Sequence, residues 1–504
     1  MICLNWRKNG ISAINTEGMK RSRILYLPLF LVIFTVSSPA THYAQLSQEI
    51  ETIIETSRAS NAFWAVQVRD GRGNLIQNLN GDKLMRPASN LKVVTSGALL
   101  DRLGPDFYFE TILYGRGEQV DNVWVGDLVI KGTGDPSIDG NFYHENPLFV
   151  FEKWADALLA KGISRIDGDI FGFDGLFDDV PYPRGWEWDD LSYYYAPKIS
   201  ALSFNSNVVN LEVTAEGPIG SRPEILWSPF NTPYVQFINE QIITPPGSRF
   251  EESYRRVLGT NTIILRSTLP QGYYETEPLT VSNPSYYFLD TFVRFMELRG
   301  IEVIGSVYVQ SDYYQWSDEG LMPIDRHQSV PLHRLIERLN QESDNFYTEM
   351  LIKKLGHLEY NVQGTTELGL RVLKQYMHEM MFDTTATQLR DGSGMAPATL
   401  VNITDYNRYL YMVRESEFFP YLLNSLAVAG ENGTLGHRFR NTPMRGRFVG
   451  KTGFVSGVRA LSGYLKTESG EDLTISLVTN NYTVQTSHVD FIHQRILDYL
   501  YHNY

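Results

Sequence analysis

Pro87-Ala88-Ser89-Asn90-Leu91-Lys92 opens a stretch of helical spacing that runs from Leu91 to Leu103 and stops at Gly104. Ser89 and Lys92 stand three positions apart, so on a helix they share a face with ~5–6 Å between Cβ atoms. An uncharged Lys amine at that distance can take the Ser hydroxyl proton and create an acyl-accepting nucleophile. Burial and nearby positive charge lower a Lys pKa enough to supply such an amine. Taken alone, such a pair is mostly a Ser helix cap followed by a solvated Lys.

Two further motifs follow in order. Ser343-Asp344-Asn345 lies 254 positions after Ser89, between the periodic Leu332/Leu335/Ile336/Leu339 segment and a helix expected over Phe346–Leu355. Its Ser hydroxyl can relay a proton and its Asn amide can hold a substrate carbonyl and a nearby Lys. The same three residues are also preferred helix caps. Lys451-Thr452-Gly453 sits on a strand that starts at Arg447-Phe448-Val449. An ammonium and a hydroxyl at adjacent positions can clamp a substrate carboxylate, and Gly lets a substrate backbone approach closely. Each motif is weak alone. Together they describe serine acyl transfer on a peptide that ends in a free carboxylate, the set known from penicillin-binding proteins and class A β-lactamases.

Composition narrows the setting. The chain has 504 residues, too many for one average domain. With 43 % apolar and 20 % charged residues it can bury a large core, which excludes global disorder. Its net charge of −14 argues against a nucleic-acid partner, since phosphate binding needs clustered Lys and Arg. The single Cys, Cys3, excludes a disulfide framework and a Cys-ligated metal. His378-Glu379 is followed by Met380-Met381, so no His-Glu-x-x-His zinc helix exists, and neither metal nor cofactor is expected. Gly392-Ser393-Gly394 does not complete a Gly-x-Ser-x-Gly elbow.

The N-terminus reads as an export signal over residues 1–44. Met19-Lys20-Arg21-Ser22-Arg23 precedes an apolar run from Ile24 to Val36, then Ser38-Pro39-Ala40 as a small-x-small site, with residues 1–18 an upstream start region. Removing residues 1–44 leaves 39 basic against 57 acidic side chains. The run is too short for a membrane span and is interrupted by Pro28, so an exported protein of the periplasm or cell envelope with no stable span is expected.

Elsewhere the patterns divide the chain. Residues 45–109 suggest a helix, a strand pair around the turn Gly71-Arg72-Gly73-Asn74, and the helix of the first motif. Residues 110–280 read as a mostly β insert with its own core and one helix at Leu148–Lys161. Residues 281–504 return to helices, including Tyr287–Arg299. They end in antiparallel strands at Val449–Thr452, Ala460–Lys466 and Leu473–Asn480, then a helix at Val489–Tyr501.

Several stretches carry a resemblance. They are the three motifs, Gly126-Asp127-Leu128 with Gly132-Thr133-Gly134-Asp135-Pro136, Gly185-Trp186-Glu187-Trp188-Asp189-Asp190, Asp391-Gly392-Ser393-Gly394, and Asn432-Gly433-Thr434-Leu435 with Arg438. On them the chain resembles the class C penicillin-binding proteins of the penicillin-binding protein 4 type, D-alanyl-D-alanine carboxypeptidases/endopeptidases of peptidase family S13. The resemblance implies an α/β fold: a transpeptidase-like serine acyltransferase domain, an antiparallel sheet flanked by helices, interrupted by the long insert. It implies Ser89 as nucleophile, Lys92 as base, Ser343 as relay to the leaving amine, and Asn345 as a support for the substrate amide. Lys451 and Thr452 would hold the terminal carboxylate. Gly453 would border the substrate, and the Ser89 and Phe454 N–H groups would form the oxyanion hole. Asp190 and Tyr195 would meet the amino end of a diaminopimelate side chain.

Partners implied are peptidoglycan stem peptides and, as covalent inhibitors, β-lactams. Competing readings are a non-catalytic wall-binding protein of the same fold and a β-lactamase-like hydrolase, the latter disfavoured by the long insert. Two positions depart from the family pattern: Phe454 replaces a Ser or Thr after Lys-Thr-Gly, and Met395-Ala396-Pro397 stands where some relatives carry an Arg. Oligomeric state has no signal in the sequence.

Overall fold

The computed structural model describes residues 39–230 and 232–504. The export-signal reading lies outside them, apart from the backbone of residues 39–44. Among the described residues no helix is long and apolar enough to cross a membrane.

Trp64, Val66 and Val68 alternate along the strand Phe63–Arg69 and enter one core, while Ala65 enters another. That period-2 split places the strand inside a sheet with both faces covered. The six strands are β1 (Phe63–Arg69), β2 (Leu75–Leu79), β3 (Ala427–Val428), β4 (Phe448–Val455), β5 (Val458–Lys466) and β6 (Asp472–Asn480). They pair antiparallel in the order β2-β1-β6-β5-β4-β3. The flanking helices are α1 (Pro39–Glu55), α2 (Leu91–Leu103), α3 (Leu332–Gln341), α4 (Asn345–Tyr360), α5 (Thr366–Glu379), α6 (Ile403–Met412) and α7 (Thr486–Asn503). Apolar side chains of α1 and α7 share one core with Ile475, Leu477 and Leu461 of the sheet. On the opposite face α2 is buried from Leu91 to Leu100 without a break, among α3, α4, α5 and α6. A helix buried all round needs no polar stripe, and that places Lys92 inside the protein.

A second core gathers Leu113 through Ile301 around a seven-stranded mixed sheet that includes Glu110–Val120, Val123–Lys131 and Ile170–Phe173. Helices Phe149–Ala160 and Pro284–Leu298 belong to this core, with Phe151 edge-on to Phe288 at 4.9 Å and Trp154 edge-on to Phe292 at 5.5 Å. Pairing continues past residue 280: Met322–Gln328 runs antiparallel to Glu110–Gly115.

Lys353 of α4 ties the helices to the loop that follows the strand Ile170–Phe173. Its side chain is fully buried, and Nζ donates to Asp178 Oδ1 at 2.5 Å and to the Val180 carbonyl at 2.7 Å. Asp178→Ala leaves a buried ammonium without its counter-charge. Its expected cost is about 3–5 kcal/mol, seen as a thermal melt lowered by several degrees; an unchanged melt would show that water already reaches the pair.

Candidate active site

Ser89 lies in a single 3₁₀ turn, Ala88–Asn90, that leads directly into α2. Ala88 holds a left-handed φ of 46°, and Asn90 pins the turn to the sheet through Nδ2 to Ser462 Oγ at 2.7 Å. The Asn90 carbonyl accepts from the Tyr406 hydroxyl at 2.9 Å. Gly453 of β4 explains why the sheet can come so near: a Cβ there would stand 2.9 Å from the Pro87 carbonyl and 3.1 Å from Ala88 Cβ. The close approach that Gly453 permits here is to the Ser89 turn.

Lys92 Nζ donates to Ser89 Oγ at 3.0 Å, to Asn345 Oδ1 at 2.5 Å and to the Ser393 carbonyl at 3.0 Å. Full burial lowers this amine to about 8, against the opposing pull of Asp391, Glu349 and Asp344. Near pH 7 roughly a tenth of such amines carry a free lone pair, which can accept the Ser89 proton. Asp344 caps α4, its Oδ1 accepting from Tyr347 N at 3.1 Å, and it faces Arg338 at 3.3 Å. One motif therefore does both things its residues suggest: the Asp caps, and the Asn turns inward to Lys92. Ser343, at φ 62°, is half-buried in the α3–α4 link, and its hydroxyl makes no hydrogen bond among the described residues.

Lys451 is buried on β4 and donates to the Thr452 carbonyl at 3.0 Å. Burial, then the charges of Lys92 and Arg459, push it well below the ordinary Lys range. Thr452 Oγ1 donates to Thr434 Oγ1 at 2.7 Å. β3 pairs only with Val449 and Gly450, so residues 451–455 keep one open edge among the described residues. Phe454 is 56 % exposed, with the Arg459 guanidinium 5.9 Å from its ring centre.

Asp190 and Tyr195 meet each other, Tyr195 Oη donating to Asp190 Oδ1 at 3.1 Å. Burial raises the Asp190 carboxyl and the Tyr195 hydroxyl bond lowers it, the first effect prevailing. Both line a cavity of about 900 Å³ with Trp188, Glu252 and Glu277. Ser89, Lys92 and Lys451 are not among its lining residues. The link to them is the Tyr195 backbone carbonyl, which accepts from Asn345 Nδ2 at 2.7 Å. Met395 takes the space beside the same amide, its Sδ 3.4 Å from Asn345 Nδ2.

Two carboxylates had no role in the sequence reading, which passed over Glu349 and quoted Asp391 only within a motif. Glu349 is fully buried and accepts from the Gly392 and Ser393 N–H groups at 3.0 and 2.8 Å. Burial, then the Asp391 charge, pushes it up to about 8. Asp391 accepts from Ala396 N at 2.7 Å, Thr399 Oγ1 at 2.9 Å and Trp186 Nε1 at 3.1 Å. Between them the two acids shape the loop that aims the Ser393 carbonyl at Lys92. The available signal was Glu349 standing four residues after Asn345, on the same helix face, inside an apolar run.

Comparison with known proteins gives the family. The family model described as D-Ala-D-Ala carboxypeptidase 3 (S13) matches residues 46–497. The D-alanyl-D-alanine carboxypeptidase of Actinomadura sp. (strain R39) is 29 % identical over 92 % of this chain and 88 % of its own. D-alanyl-D-alanine carboxypeptidase DacB of Haemophilus influenzae is 24 % identical over 90 % and 92 %. The crystal structure of penicillin binding protein 4 from Haemophilus influenzae superposes with a TM-score of 0.79 at 22 % identity, covering 90 % of this chain and 99 % of that one. The fold is thus the mixed α/β fold of that protein. With the match spanning nearly all of the described residues, the chain belongs to the D-Ala-D-Ala carboxypeptidase 3 (S13) family of serine-type carboxypeptidases.

Proposed function

We propose that Ser89 Oγ attacks the carbonyl carbon of a D-Ala-D-Ala bond while Lys92 takes its proton. The C–N bond then breaks, and the proton passes to the leaving amine by way of Ser343. Water repeats the sequence on the acyl-Ser89 ester and restores the hydroxyl. Asn345 steadies both Lys92 and the substrate amide. Lys451 and Thr452 hold the terminal carboxylate, whose charge relieves the crowding of Lys451 against Lys92 and Arg459 and draws a proton onto Lys451. The open edge beside Gly453 and Phe454 receives the peptide backbone as an added strand, and the Ser89 and Phe454 N–H groups stabilise the oxyanion. Asp190 and Tyr195 meet the amine-bearing side chain of the stem peptide.

The observation that carries this reading is a fully buried Lys amine, lowered to about 8, standing 3.0 Å from Ser89 Oγ. Endopeptidase cleavage of peptidoglycan cross-links belongs to the same proposal, as do export to the cell envelope and inhibition by β-lactams. A structure of the Haemophilus influenzae protein complexed with a β-lactam lends support to the last. In domain terms, residues 45–109 and the chain after the insert build the acyltransferase half. We set the end of the insert at Gln328 and not at 280, because Pro284–Leu298 shares the insert core and Met322–Gln328 its sheet.

Peptide mass mapping after penicillin exposure tests the assignment. The expected result is one adduct of intact penicillin mass on the peptide that contains Ser89. An unmodified Ser89 peptide, or an adduct elsewhere, would overturn it.

A further inference from the structure

The Asn345 amide can face Lys92 with its oxygen or with its NH₂. The second choice would set two donors against an amine that is itself a donor. What decides the orientation is the other end of the group: Nδ2 meets the Tyr195 carbonyl at 2.7 Å, which can only accept. The acceptor that Lys92 finds at 2.5 Å therefore depends on a backbone oxygen of the insert.

That oxygen belongs to a segment held from beneath by Arg256. Arg256 is 3 % exposed, and all its bonds to the segment and its neighbours are internal. Its N–H donates to Ser192 Oγ at 3.0 Å, and its guanidinium donates to the Leu191 carbonyl at 2.9 Å and to Tyr182 Oη at 3.1 Å. Nε reaches Thr280 Oγ1 at 3.3 Å, and the Thr280 hydroxyl donates to the same Leu191 carbonyl at 2.6 Å. Beyond this clamp Tyr193 bridges to Leu279, and its ring stacks on Tyr195 with centres 5.7 Å apart. The buried guanidinium thus has three partners, the Leu191 carbonyl, Tyr182 and Thr280, while the backbone N–H of Arg256 holds a fourth, Ser192. Its removal would free the stretch to shift, and shifts of about 1 Å at a reacting centre cost up to ~10²-fold in rate.

We infer that Arg256 is a positioning residue for acyl transfer: it fixes the Leu191–Tyr195 segment so that the Tyr195 carbonyl orients Asn345 toward Lys92. This rests on the Ser89/Lys92 reading above. It makes the insert a working part of the acyl-transfer site.

The test uses full-length protein and a fluorescent penicillin, separating the limiting acylation rate from the dissociation constant of the non-covalent complex. Arg256→Met is expected to lower the limiting rate by ~10–100-fold and to change the dissociation constant by less than about threefold. Arg256→Lys, which keeps one donor for the Leu191 carbonyl, should recover most of the loss. Thr280→Val removes the second donor to that carbonyl, together with the acceptor of Arg256 Nε, at nearly constant volume, with an expected drop of roughly three- to tenfold. It carries the test if Arg256→Met does not fold. A limiting rate within about threefold of wild type in both variants, whatever their melting temperatures, would overturn the inference, as would a loss confined to the dissociation constant. Lys92→Ala run alongside keeps the two ideas apart: wild-type acylation in that variant would remove the underlying site reading, independent of Arg256.

Discussion

Lys92→Ala is expected to slow acylation of Ser89 by penicillin by roughly 10³-fold or more, about 4 kcal/mol of barrier. The side chain has no structural substitute, because three acceptors converge on its Nζ and Ala supplies none of the donors. In the unaltered protein the rate should climb as pH rises through about 8, since burial holds the amine below its ordinary value and only the deprotonated form can take the hydroxyl proton. The variant should lack that rise. Stopped-flow acylation between pH 6 and 10 reads both effects. A variant rate within tenfold of wild type, or a wild-type profile flat across that range, would take the base role away from Lys92.

Gly394→Ala is expected to damage both the fold and the reaction. Gly394 sits at φ 78°, where an L side chain is strained, and a Cβ there would fall 2.0 Å from the Ala88 carbonyl oxygen. That oxygen is backbone and not the flexible end of a side chain, so backbone must move. The cost should be about 2–4 kcal/mol in stability. The displaced pieces are the turn that bears Ser89 and the loop whose Ser393 carbonyl meets Lys92, so acylation should also fall by roughly 10²-fold. Thermal melting and the acylation rate are both needed. A variant that melts and reacts like wild type would mean the loop is free to retreat.

How much of this was legible beforehand depends on the range of each signal. α2 was readable because its spacing and its stop at Gly104 are local, and Ser89 and Lys92 share its face by geometry alone. The strands at Ala460–Lys466 and Leu473–Asn480 were readable because apolar runs bounded by turns persist whatever they pack against. The helix expected at Tyr287–Arg299 was readable, but not the core it joins: its aromatic stripe fits any apolar core, and only Phe151 and Trp154 decide which one. Gly453 looked like room for a substrate, yet the neighbour it admits is the Pro87–Ala88 turn, more than 360 positions earlier. Glu349 stayed hidden because its partners are backbone N–H groups, which leave no mark in a sequence. Tyr195 was singled out for its ring, while its carbonyl forms the bond to Asn345.

Lys92 is joined to Asn345 and Ser393 by bonds that close loops of 253 and 301 residues. Closures of that length come late, after local helices and hairpins have formed. The Ser89 nucleophile therefore gains its base only once these distant stretches have met. A polypeptide cut short before Asn345 lacks two of the three groups that hold the Lys92 amine, so such fragments should be chemically silent.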